Sequence, residues 1–168
     1  MIRGLAPLSL VVVCALAVGC GTPEEEFVRD PALDDVALTS TAADTKSHEN
    51  GANCMECHSA ASDAPERAGP GLFSVAGSLW AGSPGDLSPF TDAVLQLRTD
   101  AFGAGELLIE LPVDANGNVY TTEDIDFFGQ AVFPHIVNGN GNTLSMPFPT
   151  NSGACNMCHQ PGGIELFP

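Results

Sequence analysis

The sequence has 168 residues, with 5 Lys and Arg against 21 Asp and Glu, which gives a formal net charge of −16. This acidity excludes nucleic acid as a partner, because binding to phosphates needs clustered cations. It also argues against charge-driven docking on an anionic membrane. The hydrophobic content is 44%, with 18 Gly and 13 Pro, and this composition favours a loop-rich, mainly β globule.

An export signal is predicted over residues 1–19. Arg3 precedes a short apolar run, Leu8 to Val18, which has the length of a signal-peptide core and is too short to span a membrane. The run ends in AVGC, which resembles a bacterial lipobox with Cys20 as the lipidated residue; an ordinary signal peptide is the alternative. The resemblance implies an exported protein with a lipid anchor, favours the outer membrane, and directs the chain to the periplasm or the cell surface.

Residues 20–47 are predicted to form an acidic, flexible tether. They are polar and contain two prolines, and they show no sustained period, so they cannot bury enough apolar surface to offset their ordering entropy. Cleavage before Cys20 leaves four Lys and Arg against the same 21 Asp and Glu, a net charge of −17. We therefore expect a docking partner to present a basic surface.

Four of the six cysteines form two identical patterns, CMECH at 54–58 and CNMCH at 155–159. C-x-x-C-H is the attachment sequence for c-type haem, in which two thiols bind one porphyrin and the next histidine binds its iron. The sequence therefore predicts two haem c groups, and the export signal fits because haem is attached outside the cytoplasm. The predicted attachment residues are Cys54, Cys57, Cys155 and Cys158, and the predicted proximal iron ligands are His58 and His159.

Other uses of the paired cysteines stay open. All four could form one zinc site, in a β-sandwich binding module whose haem or zinc is structural. Each pair could also form a disulfide in an oxidising compartment. Zinc does not require a histidine after each pair, and a thioredoxin-like redox site would need a βαβ pattern, which this sequence lacks.

Three residues are candidates for the distal axial positions. The chain has four histidines, so His48 and His135 are the available distal imidazoles, and Met146 is the plausible thioether. His48 lies only six residues before Cys54, and we expect it to bind the second haem, or the first haem if the segment folds back. A Met ligand would raise the potential above that of a haem with two His ligands. If neither histidine is a ligand, a peroxidase-like enzyme with an open iron position is the alternative.

Residues 71–150 predict short strands separated by Gly, Pro, Asn and Asp turns. The Asn-Gly pair in the turn 114–118 is a strong hairpin signal, and a plain turn is favoured there over a calcium loop because the EF-hand spacing is missing. Strands at this spacing predict an antiparallel β-sandwich. The predicted strands cover residues 72–80, 93–98, 107–111, 119–122, 133–137 and 143–146.

The segments VAGSLW at 75–80, AVLQL at 93–97 and DANGNVY at 114–120 together resemble the carboxypeptidase-regulatory-like (transthyretin-like) β-sandwich. The chain is also similar to exported bacterial haem proteins in which such a domain lies between two C-x-x-C-H motifs. The resemblance implies a sandwich at 71–150, bracketed by haem segments at 48–70 and 151–168. It implies electron transfer or a haem-bearing surface protein without a defined role. Since the sequence contains no recognisable catalytic constellation, we expect an electron carrier with a redox partner in the cell envelope rather than an enzyme.

Overall fold

The computed structural model describes residues 30–60, 69–83 and 86–159. The predicted signal peptide, Cys20 and the first part of the predicted tether lie outside these residues. Within the described ranges, no helix is long and apolar enough to cross a membrane.

The described chain is mainly β, and short 3₁₀ turns are its other regular structure. The strands are β1 Val75–Ser78, β2 Trp80–Ser83, β3 Asp86–Pro89, β4 Ala93–Arg98, β5 Leu107–Pro112, β6 Asn118–Thr121, β7 Phe133–Asn138, β8 Thr143–Ser145 and β9 Gly153–Ala154. One sheet has the strand order β6-β1-β9, a larger sheet has the order β5-β4-β7-β8, and β2 and β3 form a hairpin. The pairs are antiparallel except β1 with β9. This confirms the predicted mainly β class and is consistent with a sandwich.

The hydrophobic core lies between the two larger sheets, because apolar side chains of their strands point toward one another. Leu95 of β4 pairs with Ile136 of β7, and both belong to one buried cluster with Val75 of β1 and Val119 of β6. Burying each side chain of this size contributes about 1.5–3 kcal/mol. Gln96 follows Leu95 in β4 and points to the opposite side of the sheet, because side chains alternate along a strand. Its amide donates to the Glu110 carboxylate on the outer surface.

The turn at Gly117 carries the chain from one sheet to the other. The turn itself is confirmed, since Gly117 has a φ of +82° and its N–H donates to the Asp114 carbonyl at 3.0 Å. The predicted hairpin is wrong, because β5 pairs with β4 while β6 pairs with β1. An Asn-Gly pair specifies a local reversal, whereas the partner of the following strand is decided by long-range burial. The structure also contains a β2–β3 hairpin between residues 80 and 89, where no strand was predicted beyond residue 80.

Residues 38–40 differ from the predicted flexible tether because they pair with the edge of β6. The Ser40 N–H donates to the Tyr120 carbonyl, and the Thr122 N–H donates to the Leu38 carbonyl, both at 2.9 Å. Ser40 is 1% exposed. The segment covers backbone groups that an edge strand would leave unpaired, so the folded domain starts before the predicted first haem segment.

Candidate functional site

The two C-x-x-C-H motifs fold into the same local structure. Each starts with one 3₁₀ turn, Cys54–Glu56 or Cys155–Met157. In both motifs, the carbonyl of the first cysteine accepts the N–H of the second cysteine, at 3.1 and 3.2 Å, and the N–H of the histidine, at 2.9 Å. The backbone of the second cysteine is also alike, with φ and ψ of −110° and −34° at Cys57 and −114° and −37° at Cys158. Each motif therefore presents two thiols and one imidazole on nearly the same backbone conformation.

The fold brings the two motifs together on β1, because each 3₁₀ turn contacts this strand. Asn156, which lies between the second pair of cysteines, is 1% exposed. Its Nδ2 donates to the carbonyl of Ala52, two residues before Cys54, at 2.6 Å. Cys54 is also close enough to Cys155 to affect the pKa of that thiol. Residues far apart in sequence thus form one site.

Ser78 of β1 connects this contact to the rest of the domain. Its N–H donates to Asn156 Oδ1 at 3.0 Å, and its hydroxyl accepts from Asn156 Nδ2 at 3.0 Å. The same hydroxyl accepts the Gly51 N–H at 2.9 Å and donates to Asn118 Oδ1 at 2.6 Å. Because buried polar groups require partners, this network fixes the position of one motif relative to the other.

Gly77 permits the close approach of the second motif to β1. A Cβ at this position would lie 2.7 Å from Cys155 Cβ and 3.2 Å from its Sγ. Such distances are shorter than packed side chains tolerate, and only glycine avoids the clash. The space beside β1 is therefore shaped for the first thiol of the second motif.

His58 is buried, and its neighbours fix the orientation of its ring. The residue is 7% exposed, and its ring stacks on Phe73 with 4.2 Å between ring centres and 8° between planes. Its Nδ1 lies 3.0 Å from the Pro70 carbonyl. Since a carbonyl only accepts, Nδ1 carries a proton. Metal-binding histidines are commonly held in this way by a backbone carbonyl.

An apolar cavity of about 230 Å³ lies beside the second motif, between the two larger sheets. Cys155, Cys158 and His159 line one part of it, and Leu95, Ile136 and other core side chains line the rest. Pockets that enclose a whole ligand usually have about 300–1,000 Å³. The lining therefore suits a flat apolar group that is partly buried and tied to the two thiols.

None of the four motif cysteines forms a disulfide in the structure. Burial, followed by the nearby Cys54, raises the pKa of the Cys155 thiol to about 11. Burial also raises the pKa of Cys54. In the described part of the chain, no three His, Cys, Asp or Glu side chains are grouped to hold a metal ion.

The three candidates for distal ligands lie in three different places. The ring centre of His48 is 6.2 Å from that of His58, in the first motif. Met146 lines the cavity of the second motif. His135 lies on the outer side of the larger sheet, where its Nδ1 is 2.6 Å from Ser145 Oγ. The structure thus brings one candidate to each motif and leaves His135 apart from both.

Sequence reasoning missed the residues that fix these positions. Asn156 occupies an x position of C-x-x-C-H, for which the motif states no preference, and the Pro70 carbonyl leaves no trace in the sequence. Gly77 was visible only as a glycine within a predicted strand, which is a weak signal of close backbone approach. Ser78 and Asn118 carry no motif, because their role depends on contacts far along the chain.

Comparisons of the chain with family models, with curated proteins and with solved structures found no match.

Proposed function

We propose that this protein is a membrane-anchored dihaem c-type cytochrome that carries electrons in the cell envelope. The observation that carries the proposal is the meeting of two C-x-x-C-H motifs, equal in backbone structure, on one strand through Asn156. Two haems attached there would lie in one small domain. Such an arrangement lets an electron enter at one iron and leave at the other, and we favour an electron carrier over an enzyme.

The thiols of the chain itself would make the attachment. Each S–H adds across one vinyl group of the porphyrin, so that a C–S bond and a C–H bond form while the S–H bond and the vinyl double bond are lost. No oxidant is needed and nothing leaves. Haem iron, when bound, supplies reversible one-electron chemistry. His58 and His159 would bind the two irons, and the Pro70 carbonyl would hold His58 in the required tautomer.

The remaining parts of the chain support this role as anchor and scaffold. We interpret the two larger sheets as a carboxypeptidase-regulatory-like antiparallel sandwich, bracketed by the two haem-binding segments. Lipidated Cys20 would fix the protein to the envelope, preferentially at the outer membrane, and the acidic segment after it would separate the domain from the lipid. The strong negative charge fits a redox partner with a basic docking surface, whose association would weaken as salt screens it.

The proposal is tested by expressing the whole chain together with a cytochrome c maturation system. Intact mass and the absorption spectrum of the denatured haem in pyridine should both report two covalent haems. The double variants Cys54→Ala/Cys57→Ala and Cys155→Ala/Cys158→Ala should each retain one haem. Cys20→Ala is the matched cysteine control and should keep both haems while losing the lipid. Parent protein without covalent haem would overturn the proposal.

A further inference from the structure

We propose, on the basis of the proposed function, that the two haems have different axial ligands. His48 completes the first site opposite His58. Met146 completes the second site opposite His159. The first haem is then the low-potential centre and the second is the high-potential centre.

The separation of two imidazoles supports the first assignment. An imidazole nitrogen binds a metal such as Zn²⁺ at about 2.0–2.1 Å, and iron requires a similar distance. The centre of a five-membered ring with bonds of about 1.33–1.46 Å lies about 1.1–1.2 Å behind each ring atom. Two imidazoles on opposite sides of one metal therefore have ring centres about 6 Å apart. The centres of His48 and His58 are 6.2 Å apart.

The position of His48 is fixed by the turn between β5 and β6. Asn118 Nδ2 donates to the His48 carbonyl at 3.2 Å and to Ser47 Oγ at 2.9 Å. Asn116 Nδ2 donates to the Ser47 carbonyl at 2.7 Å. Three bonds thus hold two consecutive residues, while the His48 side chain itself is exposed. The Asn-rich turn acts as the positioning device of this histidine.

The backbone after His48 explains how a residue so close to its own motif comes to lie beside His58. Glu49 and Gly51 both have positive φ, at 51° and 93°. The Ala52 N–H donates to the Glu49 carbonyl at 2.9 Å, which closes a tight turn. Between them, Asn50 Oδ1 accepts the indole N–H of Trp80 at 2.6 Å. The segment therefore folds back in a fixed conformation.

The second assignment rests on a separate observation, the lining of the cavity. Met146 and His159 both line the space beside Cys155 and Cys158. The Met146 N–H donates to the Pro134 carbonyl at 3.0 Å, so the ladder continues past the end of β8. Side chains alternate along a strand, and this places Met146 on the same side as Leu144, which also lines the cavity.

The same alternation excludes the remaining histidine from this cavity. His135 pairs with Ser145 in the ladder, and its Nδ1 lies 2.6 Å from the Ser145 hydroxyl. Its neighbour Ile136 belongs to the buried core, whereas His135 pairs with Gln96, whose side chain lies on the outer surface, so the His135 ring belongs to that outer side of the sheet. His135 therefore serves as a matched control for the two ligands.

Different ligands give the two irons different potentials, because a methionine ligand raises the potential of haem iron. The haem at His58 would then release an electron more readily than the haem at His159. Inside one chain, the electron of the half-reduced protein would reside at the second site. His48 is exposed, so the first site would be the point at which the electron enters, and the second site would hold it.

The test uses the full-length protein with both haems attached. In the ferric parent we expect both irons to be low-spin, with one sulfur-to-iron charge-transfer band and one strongly shifted methionine methyl signal in the NMR spectrum of the reduced form. His48→Gln should convert about half of the iron to high spin, and added imidazole should restore the parent spectrum. Met146→Leu should remove the charge-transfer band and the shifted methyl signal. His135→Gln should change neither.

The outcomes separate this inference from the proposed function. If the parent protein carries two haems, but the spectrum of His48→Gln equals that of the parent or the charge-transfer band persists in Met146→Leu, the assignment of different ligands is overturned. The proposed cytochrome function would still stand. A parent protein without covalent haem overturns the proposed function. The methyl signal of the parent needs no variant, so its absence also overturns the Met146 assignment.

Discussion

Asn156→Ala tests the contact between the two motifs without changing a cysteine or a histidine. The Asn156 side chain accepts from the Ser78 N–H, donates to the Ser78 hydroxyl and donates to the Ala52 carbonyl. Alanine removes all three bonds while it leaves the C-x-x-C-H pattern complete. We expect the domain to lose stability and the two motifs to lose their fixed relative position.

The expected loss of stability depends on which hydrogen bonds Ser78 and Ala52 keep once the Asn156 side chain is removed. The Ser78 N–H would be buried without an acceptor, which costs about 1–3 kcal/mol, and each of the two other bonds contributes about 0.5–1.5 kcal/mol. Ala52 is exposed, so water replaces part of its bond, and the Ser78 hydroxyl keeps its partners Gly51 and Asn118. We therefore predict that the free energy of unfolding falls by about 2–4 kcal/mol.

Urea unfolding of the parent and of the variant measures this difference through the midpoint and the slope. Asn140→Ala is a suitable control, since Asn140 is exposed in the β7–β8 loop and a change there should stay within about 0.5 kcal/mol. If Asn156→Ala were no more destabilising than Asn140→Ala, the reasoning about the buried network would be refuted.

Three further predictions follow from packing and burial. Gly77→Ala would bring a Cβ to 2.7 Å from Cys155 Cβ and should cost about 1–3 kcal/mol, with reduced haem attachment at the second motif; unchanged melting temperature and intact mass would contradict this. Burial, and to a smaller extent the charge of Arg98, lowers the pKa of His135 below its ordinary 6.5. As the pH drops through about 6.5, the unfolded chain therefore takes up a proton at this residue before the folded chain does, and the free energy of unfolding should fall. His135→Gln should weaken this dependence of the free energy of unfolding on pH, and an unchanged dependence would count against the reasoning. In chain produced without haem, the half-buried Cys155, whose pKa burial raises, should react with iodoacetamide more slowly than the exposed Cys158, and equal rates by peptide mass would disprove the difference.

The sequence predicted what depends on short-range patterns. Strand β4 was expected at 93–98 and occurs at Ala93–Arg98, because its alternation matches a half-buried strand. The loop 138–142 was expected to join two strands, and β7 and β8 do pair around it. The similar backbone of the two C-x-x-C-H motifs also agrees with their identical spacing in the sequence.

What depends on long-range contacts was not predictable from one sequence. The turn at Gly117 looked like a hairpin, yet the strands on either side join different sheets. Residues 38–40 looked too polar to fold, but their hydroxyls and backbone pair with an edge strand. The contact of Asn156 with Ala52 joins residues more than a hundred positions apart, and no local pattern encodes such a bond.

A redox titration of the purified full-length protein, followed by absorption and by coulometry, is the most direct test of the central proposal. We predict that each chain takes up two electrons reversibly, one at each haem, with the same spectrum recovered after reoxidation. Uptake of fewer than two electrons per chain, or reduction that cannot be reversed, would contradict a dihaem electron carrier.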